Sequence, residues 1–267
     1  MLDNTYFLFS SDNGFHISQH RLHPGKECGY EDDIRVPFVI RGPGIPSGVV
    51  QSGVSSHSDL APTILSLANL PLRSTFDGRA LDVFNATGEA KHEHVGVEFW
   101  GIGTPEDKYN NADLMLNNTY KSLRLESKAY SLYYSVWCTN EVEFYDMKQD
   151  PGQLRNKARE KGSYLGRPIP HVVHRLDALL MVLKSCKGDS CRQPWRTIHP
   201  FGNVYSLIDA LDKKYDTFYK HQPKVAFSSC ELGYFLGAEG PQDVHVYSRN
   251  NKSALSFQID PNWSWSV

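Results

Sequence analysis

The spacing of apolar residues changes near residue 105, and this change limits the folds that the 267-residue chain can adopt. Before it, short β-forming runs alternate with one helical pattern. The runs are TYFLFS (5–10), IRVPFVIRGPGIP (34–46), the amphipathic HSDLAPTILSLANL (57–70) and HVGVEFW (94–100). The first run predicts a short buried strand. Because strands alternating with helices are typical of an α/β layer, residues 1–105 are assigned to such a layer.

The segments after residue 105 follow a different pattern. YKSLRLES and YSLYYSVW alternate apolar and polar residues with period 2, and EVEFYDMKQDPG adds a further strand that ends in a Pro-Gly turn. PHVVHRLDALLMVLKSC (170–186) has the strongest helical period in the chain, and the sequence beyond residue 190 is rich in aromatic residues. Residues 106–267 therefore predict a small antiparallel subdomain with a packing helix and an aromatic tail.

Composition narrows the classes of function. A net charge of -2 indicates neither a nucleic-acid partner nor a basic membrane patch. No apolar run reaches the roughly 20 residues of a membrane span. The first residues lack the basic and apolar regions of a signal peptide. Four N-x-[ST] sequons nevertheless suggest a secretory or vacuolar glycoprotein, so we expect a longer parent: Asn85, Asn117, Asn251 and Asn262.

The five cysteines support the secretory interpretation. CKGDSC, at Cys186 and Cys191, closes a short loop whose spacing favours a disulfide over a zinc site. The remaining three are Cys28, Cys138 and Cys230. An odd number leaves one thiol free, or leaves its partner outside the chain.

The stretch SSDNGFHISQHRLHPGK (10–26) concentrates the candidate chemistry. Asp-Asn-Gly alone is most simply a turn, since Asn and Gly tolerate positive φ. At the end of a buried strand, however, Asp12 and Asn13 offer hard oxygen ligands for Ca²⁺ or Mg²⁺. Lys26 offers a charge for an anion. His20, with His16 and His23, offers hydrogen bonds or protons.

Two acidic positions nearby have simpler interpretations. Asp32 and Asp33 form a charge pair that we expect to be solvated. Asp59 starts the helical pattern at 57–70, so we expect it to cap a helix rather than to bind a metal.

In this stretch the chain resembles the sulfatase family of the alkaline-phosphatase-like superfamily. Four further blocks follow in the family's order: YEDDIRVPFVIRGPGI, HSDLAPTILSLANL, FDGRAL and VEFYDMKQDPGQLRN. The tail with HRLDALLMVLKSCKGDSCRQPW is most similar to secreted fungal arylsulfatases and N-acetylglucosamine-6-sulfatase-like proteins. The resemblance implies a partial alkaline-phosphatase-like layer over residues 1–105.

The resemblance also assigns roles to the opening residues. It implies that Asp12 and Asn13 bind a divalent cation, Ca²⁺ or alternatively Mg²⁺, and that Lys26 contacts the substrate sulfate. His20, six residues before Lys26, is the second candidate for the catalytic pocket. The implied substrate is a sulfate monoester, either an aryl sulfate or a sugar sulfate.

The sequence departs from the family at the nucleophile. Sulfatases convert the first residue of a C-x-P-S-R or S-x-P-S-R motif to formylglycine, and none of the five cysteines starts that motif. No serine starts it either. We therefore expect this chain to be inactive alone. Two alternatives stay open: a non-catalytic truncated form or pseudo-enzyme, and a phosphate or phosphonate monoester hydrolase of the same superfamily.

Overall fold

The computed structural model describes residues 2–88, 92–106, 114–231 and 244–247. Over these residues the chain is a mixed α/β protein with three small antiparallel sheets. The strands are β1 (Phe7–Phe9), β2 (Val39–Arg41), β3 (His94–Phe99), β4 (Tyr120–Glu126), β5 (Ser131–Trp137), β6 (Val142–Asp146), β7 (Ser163–Tyr164) and β8 (Arg167–Pro168). The helices are α1 (Glu31–Ile34), α2 (Leu60–Leu67), α3 (Ile169–Leu183), α4 (Asp189–Arg192), α5 (Pro194–Ile198), α6 (Leu207–Ala210) and α7 (Asp216–Lys220).

The main sheet has the order β3-β4-β5-β6, with every pair antiparallel. This confirms the predicted strands after residue 105. The sequence pattern groups the strand at 94–100 with the preceding α/β layer, but β3 pairs with β4 along its whole length. The proposed boundary at residue 105 therefore falls between two hydrogen-bonded strands, and it stays a prediction.

Both faces of this sheet are covered. On one face, the predicted helix is confirmed as α3, whose apolar side chains pack on alternate residues of β4 and β5. The fully buried members of this core include Leu123, Leu125, Leu132, Phe144, Val172, Leu176, Leu179 and Ile198. On the other face, Tyr133 and Tyr145 pack against Tyr30 and Ile34 of the first region. The period of 2 thus separates an apolar face from a face that is more polar but also buried.

The opening strand differs from its prediction. β1 pairs only with β2, in antiparallel register, within the described residues. The side chains of Phe7 and Phe9 are 51% and 63% exposed, so the expected buried strand is not observed. Two short paired strands offer each other hydrogen bonds but cannot cover each other's faces, which explains the exposure.

The predicted helix at 57–70 forms over a shorter range. A 3₁₀ turn (His57–Asp59) leads into α2, and Ser56 is the residue that caps it. Asp59 completes a capping box by accepting a hydrogen bond from the Ser56 amide at 2.9 Å. Its other oxygen accepts from the Arg79 amide at 2.8 Å, so Asp59 supports the helix start from the third position of the capping box, and Ser56 is the cap instead of the expected Asp59.

Two disulfides stabilise the second region. The predicted Cys186–Cys191 bond is present, and a second bond joins Cys138 to Cys230. Cys28 is free and buried. Within the described residues, no helix combines the length and apolar character needed to cross a membrane. Two of the sequons, Asn251 and Asn262, lie outside the described residues, as do residues 232–243 and 248–267 of the predicted aromatic tail.

Candidate functional site

The candidate residues lie on the segment that joins β1 to α1, here called the site loop (residues 10–28). Its start is tied to α1, because Gly14 N donates to Asp33 O at 2.7 Å and Phe15 N donates to Asp32 O at 2.9 Å. Farther along the loop, His16 and Gly25 form reciprocal backbone hydrogen bonds of 2.9 and 3.2 Å. These bonds join the outgoing and returning segments of the loop. Backbone hydrogen bonds therefore close the site loop on itself and fix it to α1.

The glycine of Asp-Asn-Gly has a different purpose from the one expected. Neither Asn13 nor Gly14 has a positive φ, so a turn with positive φ does not explain the glycine at this position. Instead, a Cβ at Gly14 would lie 1.9 Å from the Asp32 carbonyl oxygen. Only glycine allows the loop to approach α1 this closely.

Asp12 and Asn13 present oxygen atoms immediately after β1. Asp12 is exposed, and its Oδ1 accepts a hydrogen bond from the Asn13 amide at 3.0 Å. The Asn13 side-chain amide donates to the Gly14 carbonyl at 2.7 Å, which leaves its Oδ1 without a donor among the described residues. Carboxylate and carboxamide oxygens fit a hard divalent cation, but two residues fall short of the about six to eight oxygens that Ca²⁺ takes.

Lys26 lies at the other end of the loop. Its Nζ is 3.3 Å from Oε1 of Glu106, and both side chains are substantially exposed. An exposed pair of this kind contributes only about 0–1 kcal/mol, so an anion can displace Glu106 at little cost. The neighbouring Glu27 is anchored, since its carbonyl accepts from Asn118 Nδ2 at 2.8 Å.

His20 packs in the middle of the loop. Its ring stacks on Tyr30, with ring centroids 3.8 Å apart and an angle of 13° between the planes. Its φ is +54°, and Ser18 and Arg21 also have positive φ. Three non-glycine residues in this region cost energy, so the surrounding contacts impose the loop conformation.

The sequence interpretation missed the buried centre of the loop. Asp33, expected to be solvated, is only 3% exposed, whereas Asp32 is exposed. Both carboxylate oxygens of Asp33 face Nδ1 of His16, at 2.8 and 2.9 Å. A helix predicted over YEDDI would have indicated the burial of Asp33, because helical spacing places Tyr30, Asp33 and Ile34 on one face.

A second aromatic cluster surrounds His199 in the tail region. Its ring packs against Tyr215, Phe218, Tyr219 and Tyr247, at centroid distances of 4.6 to 5.6 Å. Burial lowers the pKa of His199 to about 3, so its imidazole is neutral. The cluster adjoins a cavity of about 280 Å³ that Tyr215 and Tyr247 help to line. The aromatic residues of this cluster are largely part of the core.

Comparison with known proteins identifies the class of this chain. Residues 1–70 match the family model described as Sulfatase. A protein of Metarhizium majus (strain ARSEF 297) named Sulfatase ppz1 is 41% identical over 256 residues, covering 96% of this chain and 54% of that protein. An arylsulfatase of Chlamydomonas reinhardtii is 39% identical, covering 86% of this chain and 37% of its own length.

A solved structure is similar to part of this chain. BT4656 in complex with its substrate D-glucosamine-2-N,6-O-disulfate superposes with a TM-score of 0.50 at 26% identity, covering 60% of this chain and 31% of that one. The chain belongs to the sulfatase family. It matches the C-terminal portion of longer relatives and spans about half the length of the Metarhizium protein.

Proposed function

We propose that this chain supplies the metal-and-sulfate corner of a sulfuric ester hydrolase active site. The observation that carries the proposal is the site loop, a tied segment that presents Asp12 and Asn13 at one end and Lys26 at the other. In this assignment, Asp12 and Asn13 hold a divalent cation, Ca²⁺ in preference to Mg²⁺. When bound, that cation would neutralise negative charge on the sulfate.

Lys26 then binds the sulfate group. Its ammonium leaves Glu106 and donates to a sulfate oxygen, which offsets the charge that the ester carries. His20, held against Tyr30 in the same loop, is assigned to orient the substrate by hydrogen bonding. The nucleophile comes from outside residues 1–267, because none of the five cysteines begins the family motif.

The relatives support a proposal for the substrate class. An N-acetylglucosamine-6-sulfatase of Capra hircus is 31% identical over 255 residues, covering 85% of this chain and 40% of that protein. This supports a sugar sulfate as the natural ester, with aryl sulfates as accessible model substrates. The two disulfides support an oxidising, secretory location for the protein.

The test begins with residues 1–267 alone and p-nitrophenyl sulfate in the presence of Ca²⁺. We expect no turnover. The chain is then fused behind the part of the Metarhizium sulfatase that precedes the matching segment, and the fusion is made in cells that form formylglycine. We expect the fusion to hydrolyse the sulfate ester and to leave p-nitrophenyl phosphate intact. Preference for the phosphate would support the phosphohydrolase alternative instead.

Variants of the active fusion assign the roles. Asp12→Ala and Lys26→Ala are each expected to lower kcat/KM by roughly 10²-fold or more, because each removes a charge from the transition-state environment. Asp32→Ala and Lys161→Ala are the matched controls, since both change exposed charges outside the proposed set. Equal losses in the controls and the site variants would refute the assignment.

A further inference from the structure

His16 is the most completely enclosed polar side chain of the site loop. The residue is 2% exposed. Nδ1 faces the Asp33 carboxylate, and Nε2 lies 2.8 Å from the carbonyl oxygen of His23. A carbonyl oxygen accepts hydrogen bonds and cannot donate them. Nε2 must therefore carry a proton in this arrangement.

The second proton lies between Nδ1 and Asp33. Both carboxylate oxygens are within 2.9 Å of Nδ1, and Oδ2 also accepts from the Cys28 amide at 2.8 Å. This is the geometry of an ionised carboxylate that accepts from every side. Burial raises the pKa of Asp33, while the hydrogen bonds from His16 and from the Cys28 amide act to lower it.

A metal ion is the competing explanation for the same residues. Donor atoms of His16, Cys28 and Asp33 all lie within 4.8 Å of one another. Burial, followed by the charge of Asp33, raises the pKa of the Cys28 thiol to about 12, so the thiol is protonated in this structure. Both ring nitrogens of His16 are already engaged. A shared proton between Nδ1 and Asp33 accounts for these contacts without a metal ion.

The pair connects two parts of the site loop to α1. His16 follows the metal-ligand candidates, the His23 carbonyl precedes Lys26, and Asp33 belongs to α1. Breaking the pair would release the start and the return of the loop together. Charged and titratable groups around it add no competing cation among the described contacts: Glu27, Asp32, Glu143, Tyr120 and Tyr133.

We propose that His16 carries a proton on both ring nitrogens and, through its ion pair with Asp33, is the positioning residue that holds Asp12, Asn13 and Lys26 in one loop. This inference rests on the proposed function for the importance of those three residues. The charge state and the loop geometry are measured without substrate, so they succeed or fail separately from catalysis.

The first experiment is a proton–nitrogen correlation spectrum of the imidazoles in ¹⁵N-labelled residues 1–267 at pH 7. We expect both nitrogens of His16 to show protonated-type shifts. His199 is the internal reference for a neutral ring, because its Nε2 pairs with the Tyr219 hydroxyl while Nδ1 has no partner among the described residues. A bare nitrogen in His16, or a shift of its signals on adding Zn²⁺, would overturn the proposal.

The second experiment measures amide hydrogen exchange in the variants. His16→Gln and Asp33→Asn are each expected to speed exchange at residues 14–28 by at least about tenfold, while amides of β4 and β5 keep their protection. The double variant should be less disruptive than the sum of the two, because it removes both buried charges. Additive effects, or equal loss of protection in the main sheet, would show a merely structural role. A His199→Gln variant controls for loss of any buried histidine.

Discussion

The two halves of the described chain use opposite means to fix their structure. In residues 114–231, a sheet and a helix bury a continuous apolar core around Leu132, Phe144 and Leu176. In residues 2–88, apolar side chains such as Phe9 and Val39 are 63% and 59% exposed. The interior there is largely polar, and includes His16, Asp33 and Thr63. Directional hydrogen bonds therefore fix the structure of residues 2–88, whereas burial of apolar side chains fixes that of residues 114–231.

The polar half gains its order by docking onto the apolar one. Glu31 Oε1 accepts from Arg124 Nε at 2.8 Å, and the Glu31 amide donates to Gln153 Oε1 at 2.8 Å. Gly29 lies so close to the sheet that a Cβ would come within 2.2 Å of the Tyr133 hydroxyl. These contacts place the end of the site loop directly against the face of the main sheet that is opposite α3.

Two phenylalanines provide the strongest test of this contrast. Phe144→Ala empties a fully buried position and should lower the free energy of unfolding by about 3–5 kcal/mol. Phe9→Ala removes the same group from the exposed β1 and should change it by less than about 0.5 kcal/mol. Urea unfolding followed by tryptophan fluorescence compares the two. Similar losses would mean that β1 is buried in solution.

The disulfides test whether the second half also depends on covalent closure. Cys138 and Cys230 are 92 residues apart, while Cys186 and Cys191 are five apart. In the chain-entropy model, replacing the first pair by serine costs about 4.6 kcal/mol and replacing the second costs about 2 kcal/mol. Thermal unfolding of the two double variants measures the difference. A larger effect from the short loop would contradict the model for this protein.

Acid should weaken the two halves unequally. Burial lowers the pKa of His94 to about 4 and that of His199 to about 3, against 6.5 for the ordinary group. At these two histidines the unfolded chain binds more protons below pH 6.5, whereas burial raises the pKa of Asp177 in α3 to about 6, which offsets part of the loss. Stability is full above that pH and falls as the pH drops towards 4, by on the order of 2 kcal/mol per histidine.

Amide hydrogen exchange at pH 7 and pH 4.5, corrected for the intrinsic exchange rate, measures this loss of stability in each region. Protection in the main sheet should fall on acidification, whereas the site loop, whose buried histidine is proposed to be charged already, should keep its relative protection. His199→Phe should reduce the pH dependence of amide protection in the main sheet. A loop that opens first in acid would contradict the proposed charge of His16.

The variant with the smallest expected effect tests the close approach of Gly14 to the Asp32 carbonyl oxygen. Gly14→Ala forces a Cβ into the Asp32 carbonyl and should destabilise the chain by about 1 kcal/mol, concentrated in the site loop. Gly152→Ala is the control, because its added Cβ would meet only ordinary contacts at 3.7 Å or more. Exchange at residues 14–28 distinguishes the two. An unaffected loop in Gly14→Ala would mean that the backbone can move away from α1 freely.

Local patterns predicted the second half better than the first. The period of α3, the alternating strands and the six-residue CKGDSC segment were sufficient, because each is decided by neighbours in sequence. The Cys138–Cys230 bond and the burial of Asp33 depend on distant partners, which no local period encodes. β1 was predicted to be buried from its composition, but burial requires a covering layer that composition does not supply.

The Cys138–Cys230 bond also determines how the protein responds to a protease. The ring that it closes contains β6 and every helix from α3 to α7, with the smaller Cys186–Cys191 ring inside it. A single cut anywhere between 138 and 230 outside the inner ring therefore yields two polypeptides that stay covalently joined. Such a nicked protein would migrate as one species on a non-reducing gel and separate into two only after reduction.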